Sequence, residues 1–249
     1  MLIPIRILER VWNVHPTGVL HVGAHLAEES VEYDEFKWGE QFGIHWIEAQ
    51  KDLADTLRKR FAGSRNTIYE GVVWDKSNEI LTFNVSNNSQ SSSLFQFGTH
   101  SSDYPEVVFQ SERQVKTITI ADLIPGELKF DLINLDIQGA ELNALKGLGA
   151  RLAEVRWIYT EVNSREVYKG CSTIGEIDSF LAKNDFIRVQ TVWVKGAGWG
   201  DALYVRTSLS GVAASIKLKA IRVQVELEAA KLMRRVVKLL KIIFHHLRG

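Results

Sequence analysis

Three acidic side chains stand at, or one residue from, the ends of apolar runs in this chain. Glu48 belongs to HWIEA (His45–Ala49), Asp136 to FDLINLDI (Phe130–Ile137) and Glu161 to VRWIYTEV (Val155–Val162). A carboxylate among apolar neighbours loses hydration, and contact with a ligand, a metal or a proton donor offsets that loss. Asp136 and Glu161, and His100 in a serine-rich stretch, are side chains that accept protons in general-base chemistry. Asp136, Glu161 and Asn163 also offer oxygen ligands that suit Mg²⁺, which would make a metal-assisted version of the chemistry. A fourth run, GVLHV (Gly18–Val22), ends at Gly23, where a missing Cβ permits a sharp turn and close backbone approach. The dinucleotide pattern G-x-G-x-x-G fails there, because His25 and Glu28 occupy its second and third glycine positions. Glu48, 25 residues after Gly23, is placed to accept hydrogen bonds from both hydroxyls of an adenosine ribose. A strand-end acid after a glycine turn, without the other glycines, favours an adenosyl ligand that lacks phosphates. Glu141 reads as structural, because it falls in the first turn of a helix whose N-terminal amides it can satisfy.

The elements that must position these groups alternate along the chain. Strands are expected at Gly18–Val22, His45–Ala49, Thr67–Trp74 and Ile80–Val85, with helices at Glu28–Trp38 and Lys51–Phe61. Further strands are expected at Phe130–Ile137, Val155–Val162, Phe186–Val194 and Ala202–Arg206, with helices from Gly139 to Leu148 and over Thr173–Asn184. His45, just before its strand core, reads as structural. Ser86–Pro105 is irregular, and the embedded Phe95 and Phe97 favour an ordered loop. Strand–helix repeats produce a parallel sheet, and two adjacent closing strands add a hairpin, so the expectation is an open α/β sheet with an antiparallel edge. In such sheets ligands bind beyond the carboxyl ends of the strands, which is where Gly23, Glu48, Val73, Asp136 and Glu161 fall.

Of the 249 residues, 45% are hydrophobic and 24% charged, an ordinary globular composition that excludes disordered and collagenous classes. Cys171 is the only cysteine, so neither an internal disulfide nor a cysteine-rich zinc site can form, and a reducing, cytoplasmic setting is expected. Net charge is zero, but residues 211–249 hold nine Lys or Arg against two Glu. The body is therefore acidic and the tail basic; the acidic body argues against a nucleic-acid partner. Pro4, Arg6, Glu9 and Arg10 interrupt the first residues too often for a signal peptide, and no run reaches the length of a membrane span. From Lys231 to Arg248, cations and His245 fill an arc of roughly 160° at 100° per residue, opposite an apolar arc. That pattern is an amphipathic helix, which either lies on an anionic membrane surface or packs on the body or on a second copy. The expected organisation is an N-terminal helical extension over 1–16, a main domain over 17–209 and a basic amphipathic helix over 210–249.

VLHVGAH, WIEAQ, SSSLF, LINLDIQGAELNALKGL, YTEVN, YKGC and GWGDALYV, in that order, resemble the motifs of FkbM-type methyltransferases. The resemblance covers roughly residues 17–206, and its most specific part is D-[IV]-[EQ]-G-A-E-L, present as Asp136–Leu142. It implies the class I methyltransferase fold, a Rossmann-like seven-stranded sheet, mostly parallel with its last strand antiparallel, and S-adenosylmethionine as cofactor. It implies a cofactor wall of His21, Gly23, Ala24, His25, Glu48, Ala49, Val72, Val73 and Asp136. Glu48 would bind the ribose, Val72 and Val73 would flank the adenine, and Asp136 would lie near the transferred methyl. Ser92, Ser93, Asn163, Tyr168 and Asp201 are the acceptor-side candidates. Three positions depart from the family pattern: His21 replaces an acidic residue, His25 a glycine, and Gln138 a glutamate common among members.

The resemblance implies an O-methyltransferase acting on a sugar, a glycan or a small hydroxylated metabolite. The other reading, from a different class, is a non-catalytic methyltransferase-like partner in a glycan-assembly complex. The expected location is the cytoplasm, with peripheral contact to the inner face of a membrane if the tail helix binds lipid.

Overall fold

The computed structural model describes residues 1–209, and the amphipathic tail expected over 210–249 lies outside the described residues. The strands are β1 (Gly18–Val22), β2 (Gly43–Glu48), β3 (Asn66–Glu70), β4 (Val72–Val73), β5 (Ile80–Ser86), β6 (Phe109–Ile118), β7 (Leu132–Leu135), β8 (Trp157–Asn163), β9 (Phe186–Trp193) and β10 (Trp199–Arg206). The helices are α1 (Ile5–Trp12), α2 (Ser30–Glu35), α3 (Lys51–Arg60), α4 (His100–Asp103), α5 (Ile120–Leu123), α6 (Glu141–Lys146) and α7 (Ile174–Ala182).

Seven strands form one sheet in the order β3-β2-β1-β7-β8-β10-β9. β1 pairs in parallel with β2 and β7, and β7 with β8, whereas β10 runs antiparallel to both β8 and β9. The chain therefore forms a Rossmann-like, mostly parallel seven-stranded sheet with an antiparallel last strand. The expected antiparallel edge needs one correction: β10 is inserted between β8 and β9, so the reversed strand is interior and β9 is the edge.

The central strands β1, β2, β7 and β8 are buried along their whole length, as strands covered on both faces must be. Alternate residues divide between two cores. Val19, Leu132, Trp157, Tyr159, Leu203 and Val205 face a layer built from α1, α2 and the residues before α1, including Ile3, Leu8 and Tyr33. Leu20, Val22, Ile133, Leu135, Ile158, Val162, Ala202 and Tyr204 face a layer that includes Ile120, Leu145, Ile177 and Leu181 of the helices on the other side. α7 begins with a capping box, Thr173 and Glu176 each satisfying a backbone amide of the other.

Two expected elements differ. The strand expected over Thr67–Trp74 breaks at Gly71, and β4 leaves the main sheet to pair with β6. β6 was not expected: its FQSERQVKTI sequence carries charges on both faces and is mostly exposed, so no apolar alternation marks it. It forms a three-stranded sheet in the order β4-β6-β5, and the serine-rich loop connects β5 to β6. The helix expected over Glu28–Trp38 shortens to α2, flanked by left-handed residues at His25, Ala27 and Lys37. Among the described residues, no helix is long and apolar enough to cross a membrane.

Candidate functional site

Strand parity decides which groups meet. On β7 and its extension, residues 132, 134 and 136 point to the α1 face; on β8 so do 157, 159, 161 and 163, and on β10 so do 199, 201, 203 and 205. The last polar residues of these rows, Asp136, Glu161, Asn163 and Asp201, are thus on one face at the carboxyl end of the parallel strands. A cleft of about 440 Å³ opens there, within the usual range for small-molecule sites.

The order of strands sets the order along the cleft. Glu48 and Ala49 at the end of β2, with Val72 and Val73 of β4, line one part. Gly23, Ala24 and His25 follow β1, Asp136 follows β7, and Glu161, Tyr168, His100, Tyr104 and Trp199 line the part over β8 and β10. His21 and Ser92 also border the cleft. Ser93, Asn163 and Asp201 do not border it. Ser93 is buried and donates its hydroxyl to the Gln138 carbonyl at 2.7 Å. Asn163 is fully buried, and neither side-chain polar atom has a hydrogen-bond partner among the described residues. Asp201 accepts the Leu2 backbone N–H at 2.6 Å and the Tyr159 hydroxyl, and so ties the N-terminal segment to β8 and β10.

Gly23 is required by its neighbour strand as well as by its turn. Its φ is +89°, and a Cβ there would meet the Asp136 carbonyl oxygen at 1.8 Å. The β1 and β7 exits thus pack backbone to backbone. After this turn, the Glu48 carboxylate accepts the His25 backbone N–H and the Gln50 backbone N–H, both at 2.8 Å. Burial raises the Glu48 pKa, and those two amides oppose the rise. His25 bridges outward: Nδ1 lies 2.6 Å from Glu28 Oε1 and Nε2 lies 2.8 Å from Ser89 Oγ. Gln50 Nε2 donates to the Ser89 carbonyl at 3.4 Å. The serine-rich loop is thereby held to both strand exits, through a contact that a glycine at position 25 would lack.

His21 is buried on β1. Its ring lies 4.7 Å from that of Trp46 and its Nδ1 lies 3.1 Å from the Tyr33 hydroxyl. Burial lowers its pKa to about 4, so it is neutral near pH 7. His45, on the opposite face of the sheet, is buried, and burial lowers its pKa.

Asp136 presents exposed surface to the cleft, while protein encloses it on its other sides. That enclosure, followed by the charge of Asp201, raises its pKa to about 6. Glu161 is buried, and burial, then the nearby carboxylates of Asp136, Glu141 and Asp201, raise its pKa further above the ordinary value. Gln138 stands between the two: its Nε2 donates to Asp136 Oδ1 at 2.6 Å and to Glu161 Oε2 at 3.3 Å. Glu141 is wholly buried and accepts the backbone N–H of Ile137 and Gly139 at 3.0 and 3.1 Å, so its role is structural, but it fixes the turn before α6 rather than the amides of the helix itself. Among the described residues, no group of three or more His, Cys, Asp and Glu side chains is placed to hold a metal ion. Asp136, Glu161 and Asn163 are not brought together as the Mg²⁺ ligand set that their side-chain chemistry allows. Asn163 lies off the cleft, and an amide donor stands between the two carboxylates.

At the β8–β10 end, the His100 ring stacks on Phe97 at 4.4 Å and lies 5.2 Å from Tyr104, and the Trp199 indole N–H donates to the Tyr104 hydroxyl at 3.3 Å. His100 Nδ1 is buried and has no hydrogen-bond partner among the described residues, and burial lowers the pKa of the ring. α4 is fixed there by Arg165, which donates to Asp103 at 2.9 Å and to Thr99 at 3.0 Å. Sequence reasoning did not single out Gln50, Tyr104 or Trp199. In the sequence Gln138 stands out only as a departure from the family motif, although its place in D-I-Q-G, two residues after a strand-end acid, is the available signal.

A family model described as the methyltransferase FkbM domain matches residues 21–188. The 2-O-methyltransferase NoeI of Sinorhizobium fredii (strain NBRC 101917 / NGR234) is 32% identical over 115 residues, covering 43% of this chain and 47% of that protein. The chain thus aligns with about half the length of that curated relative. Among solved structures, methyltransferase FkbM from Methylobacillus flagellatus KT aligns with a TM-score of 0.48 and 16% identity, over 76% of this chain and 43% of that one. The ribosomal protein L11 methylase from Lactobacillus delbrueckii subsp. bulgaricus aligns with a TM-score of 0.46 and 11% identity, over 82% and 77% of the two chains.

Proposed function

The chain belongs to the FkbM methyltransferase family, and from that premise we propose that it transfers a methyl group from S-adenosylmethionine to a hydroxyl oxygen of a sugar, a glycan or a small hydroxylated metabolite. The observation that carries this reading is one cleft in which Glu48, the Gly23 turn, Asp136 and Glu161 follow one another in strand order and end at an aromatic wall.

Glu48 has an oxygen lone pair to spare on each side of its two backbone contacts, which suits a ribose diol. Val72 and Val73 are apolar and buried beside it, as an adenine face requires. Gly23, Ala24 and His25 border the middle of the cleft, where a methionine portion would lie. When bound, S-adenosylmethionine supplies a methyl on a sulfonium, open to in-line displacement by an oxygen lone pair as the S–C electron pair returns to sulfur.

The chain's own contribution is positioning and proton removal. Asp136 is the base: it faces the cleft, and a pKa of about 6 leaves it ionised near pH 7 yet basic enough to take the proton of the acceptor hydroxyl. Tyr104, Trp199 and His100 provide the apolar side of the acceptor compartment, and Glu161 a polar one. The test is calorimetric titration with S-adenosylhomocysteine, followed by a screen of glycoside acceptors with S-adenosylmethionine carrying a labelled methyl. Micromolar binding and label in a glycoside support the reading; absence of binding by the folded protein refutes it.

A further inference from the structure

The Gln138 carboxamide touches both cleft carboxylates and is itself held in one orientation. Its Nε2 carries two hydrogens, one directed to Asp136 at 2.6 Å and one to Glu161 at 3.3 Å. Its Oε1 accepts the Tyr168 hydroxyl at 2.5 Å, and its backbone carbonyl accepts the Ser93 hydroxyl at 2.7 Å. Gln138 holds a left-handed backbone, φ +56°, which an ordinary side chain adopts only where the surroundings impose it. Tyr168 is almost fully buried, its ring 5.4 Å from His100 and 5.8 Å from Phe97, so the hydroxyl is fixed in place. A flipped amide would turn its oxygen toward two carboxylates and would lose both bonds.

We propose that Gln138 is a positioning residue: its amide, fixed by Tyr168 and by Ser93, anchors one oxygen of Asp136 and leaves the other turned to the acceptor, while joining Asp136 to Glu161 as one unit that shares a single negative charge. This rests on Asp136 being the base, as proposed above.

Chemically, an amide can donate but cannot accept a proton at its nitrogen, so it links the carboxylates without competing for the substrate's proton. Glu161 is the more enclosed of the two and its Gln138 bond is the longer, so Glu161 keeps its proton and Asp136 carries the charge. The other groups facing the pair are Asp201 of β10, Glu141 of α6, Glu29 before α2, the Met1 amino group, the Tyr168 and Tyr159 hydroxyls and His21 of β1, which is neutral near pH 7. Apart from the amino group, none of these supplies positive charge, and Gln138 is the side chain that donates to both members. Losing the donor makes ionisation of Asp136 harder. A glutamate at position 138 would add a third carboxylate between the two.

The experiment is a carbon-13 NMR titration of the full chain labelled at the aspartate and glutamate carboxyls, with S-adenosylhomocysteine present. The two signals are identified by their loss in Asp136→Asn and Glu161→Gln. Gln138→Met keeps the length and removes the donor; the Asp136 midpoint is expected to rise by about half a pH unit or more, a factor of about three. Gln138→Glu is expected to raise it further, and Tyr168→Phe to raise it by less. Affinity for S-adenosylhomocysteine should stay within about threefold of the parent in all three. A merely structural Gln138 would lower the melting temperature without moving either midpoint, so unmoved midpoints in folded Gln138→Met and Tyr168→Phe proteins overturn the proposal. If the parent chain binds no S-adenosylhomocysteine, the cofactor reading fails, and the same titration without ligand still decides whether Gln138 couples the pair.

Discussion

The Glu48 carboxylate at the end of β2 accepts the backbone N–H of His25 at 2.8 Å, so one strand-end acid clamps the turn that leaves the neighbouring strand. Its other oxygen accepts the Gln50 N–H, and the same group therefore serves the fold as well as any ligand. Glu48→Ala removes hydrogen bonds to a charged acceptor, each worth about 1.5–3 kcal/mol. Affinity for S-adenosylhomocysteine should fall at least about tenfold, and the melting temperature should fall with it because two backbone donors lose their partner. Calorimetry and thermal denaturation on one preparation separate the two effects. Unchanged affinity in a folded Glu48→Ala protein would remove Glu48 from the cofactor wall.

Much of this arrangement is legible in the sequence, for identifiable reasons. β1, β7 and β8 are buried on both faces and read as continuous apolar runs, so any acid at their ends is conspicuous. β6 shows no such run because it is an exposed ribbon with charges on both sides. The acids stand out one strand at a time, but their mutual distances depend on pairing across the sheet. Asp201 shows this: its position after a glycine-rich turn resembles a ligand position, yet its Oδ2 accepts both the Leu2 N–H and the Tyr159 hydroxyl. Gln138 shows the converse, since its contacts to Glu161 and Tyr168 span 23 and 30 residues.

Asp136→Asn keeps the shape of the side chain and removes its charge. Loss of a general base costs a factor of about 10²–10⁴ in rate, so methyl transfer to an acceptor found by the glycoside screen should fall by that much. Binding of S-adenosylhomocysteine should change little, because the Gly23 turn and Glu48 remain. Near-normal turnover would move the role to His100.

Trp199 and Tyr104 border the cleft away from Glu48 and are joined through the indole N–H. Trp199→Ala should therefore raise KM for the acceptor about tenfold while the affinity for S-adenosylhomocysteine stays level. Equal losses on both sides would mean that this aromatic wall supports the whole cleft rather than the acceptor compartment.

The His25 bridge to Ser89 predicts a local effect. His25 has φ +45°, which glycine tolerates without cost, so His25→Gly relieves backbone strain of about 1 kcal/mol while releasing the loop. Hydrogen exchange over residues 86–93 should speed up with no drop in melting temperature. Unchanged exchange there would show that Gln50 and the loop's own bonds suffice to hold it.

Glu161 also predicts how stability responds to pH. Its pKa in the fold lies well above the ordinary 4.5, so as pH rises past 4.5 an unfolded chain releases this proton and the native chain does not. The native state then binds more protons than the unfolded state, and stability contributed by this group declines with rising pH until the folded pKa is passed. His21 acts oppositely: its pKa is lowered to about 4, so between pH 4 and 6.5 the unfolded chain takes up the extra proton and stability increases with pH. The parent curve mixes both, whereas the difference between parent and Glu161→Gln removes the His21 contribution and reports the Glu161 carboxyl together with its coupling to Asp136. The glutamine can still accept the Gln138 bond, and it has no proton to release. The variant should therefore gain stability relative to the parent as pH goes from 5 to 8, measured as the difference in denaturant midpoints. A constant difference across that range would mean that Glu161 ionises normally in the fold.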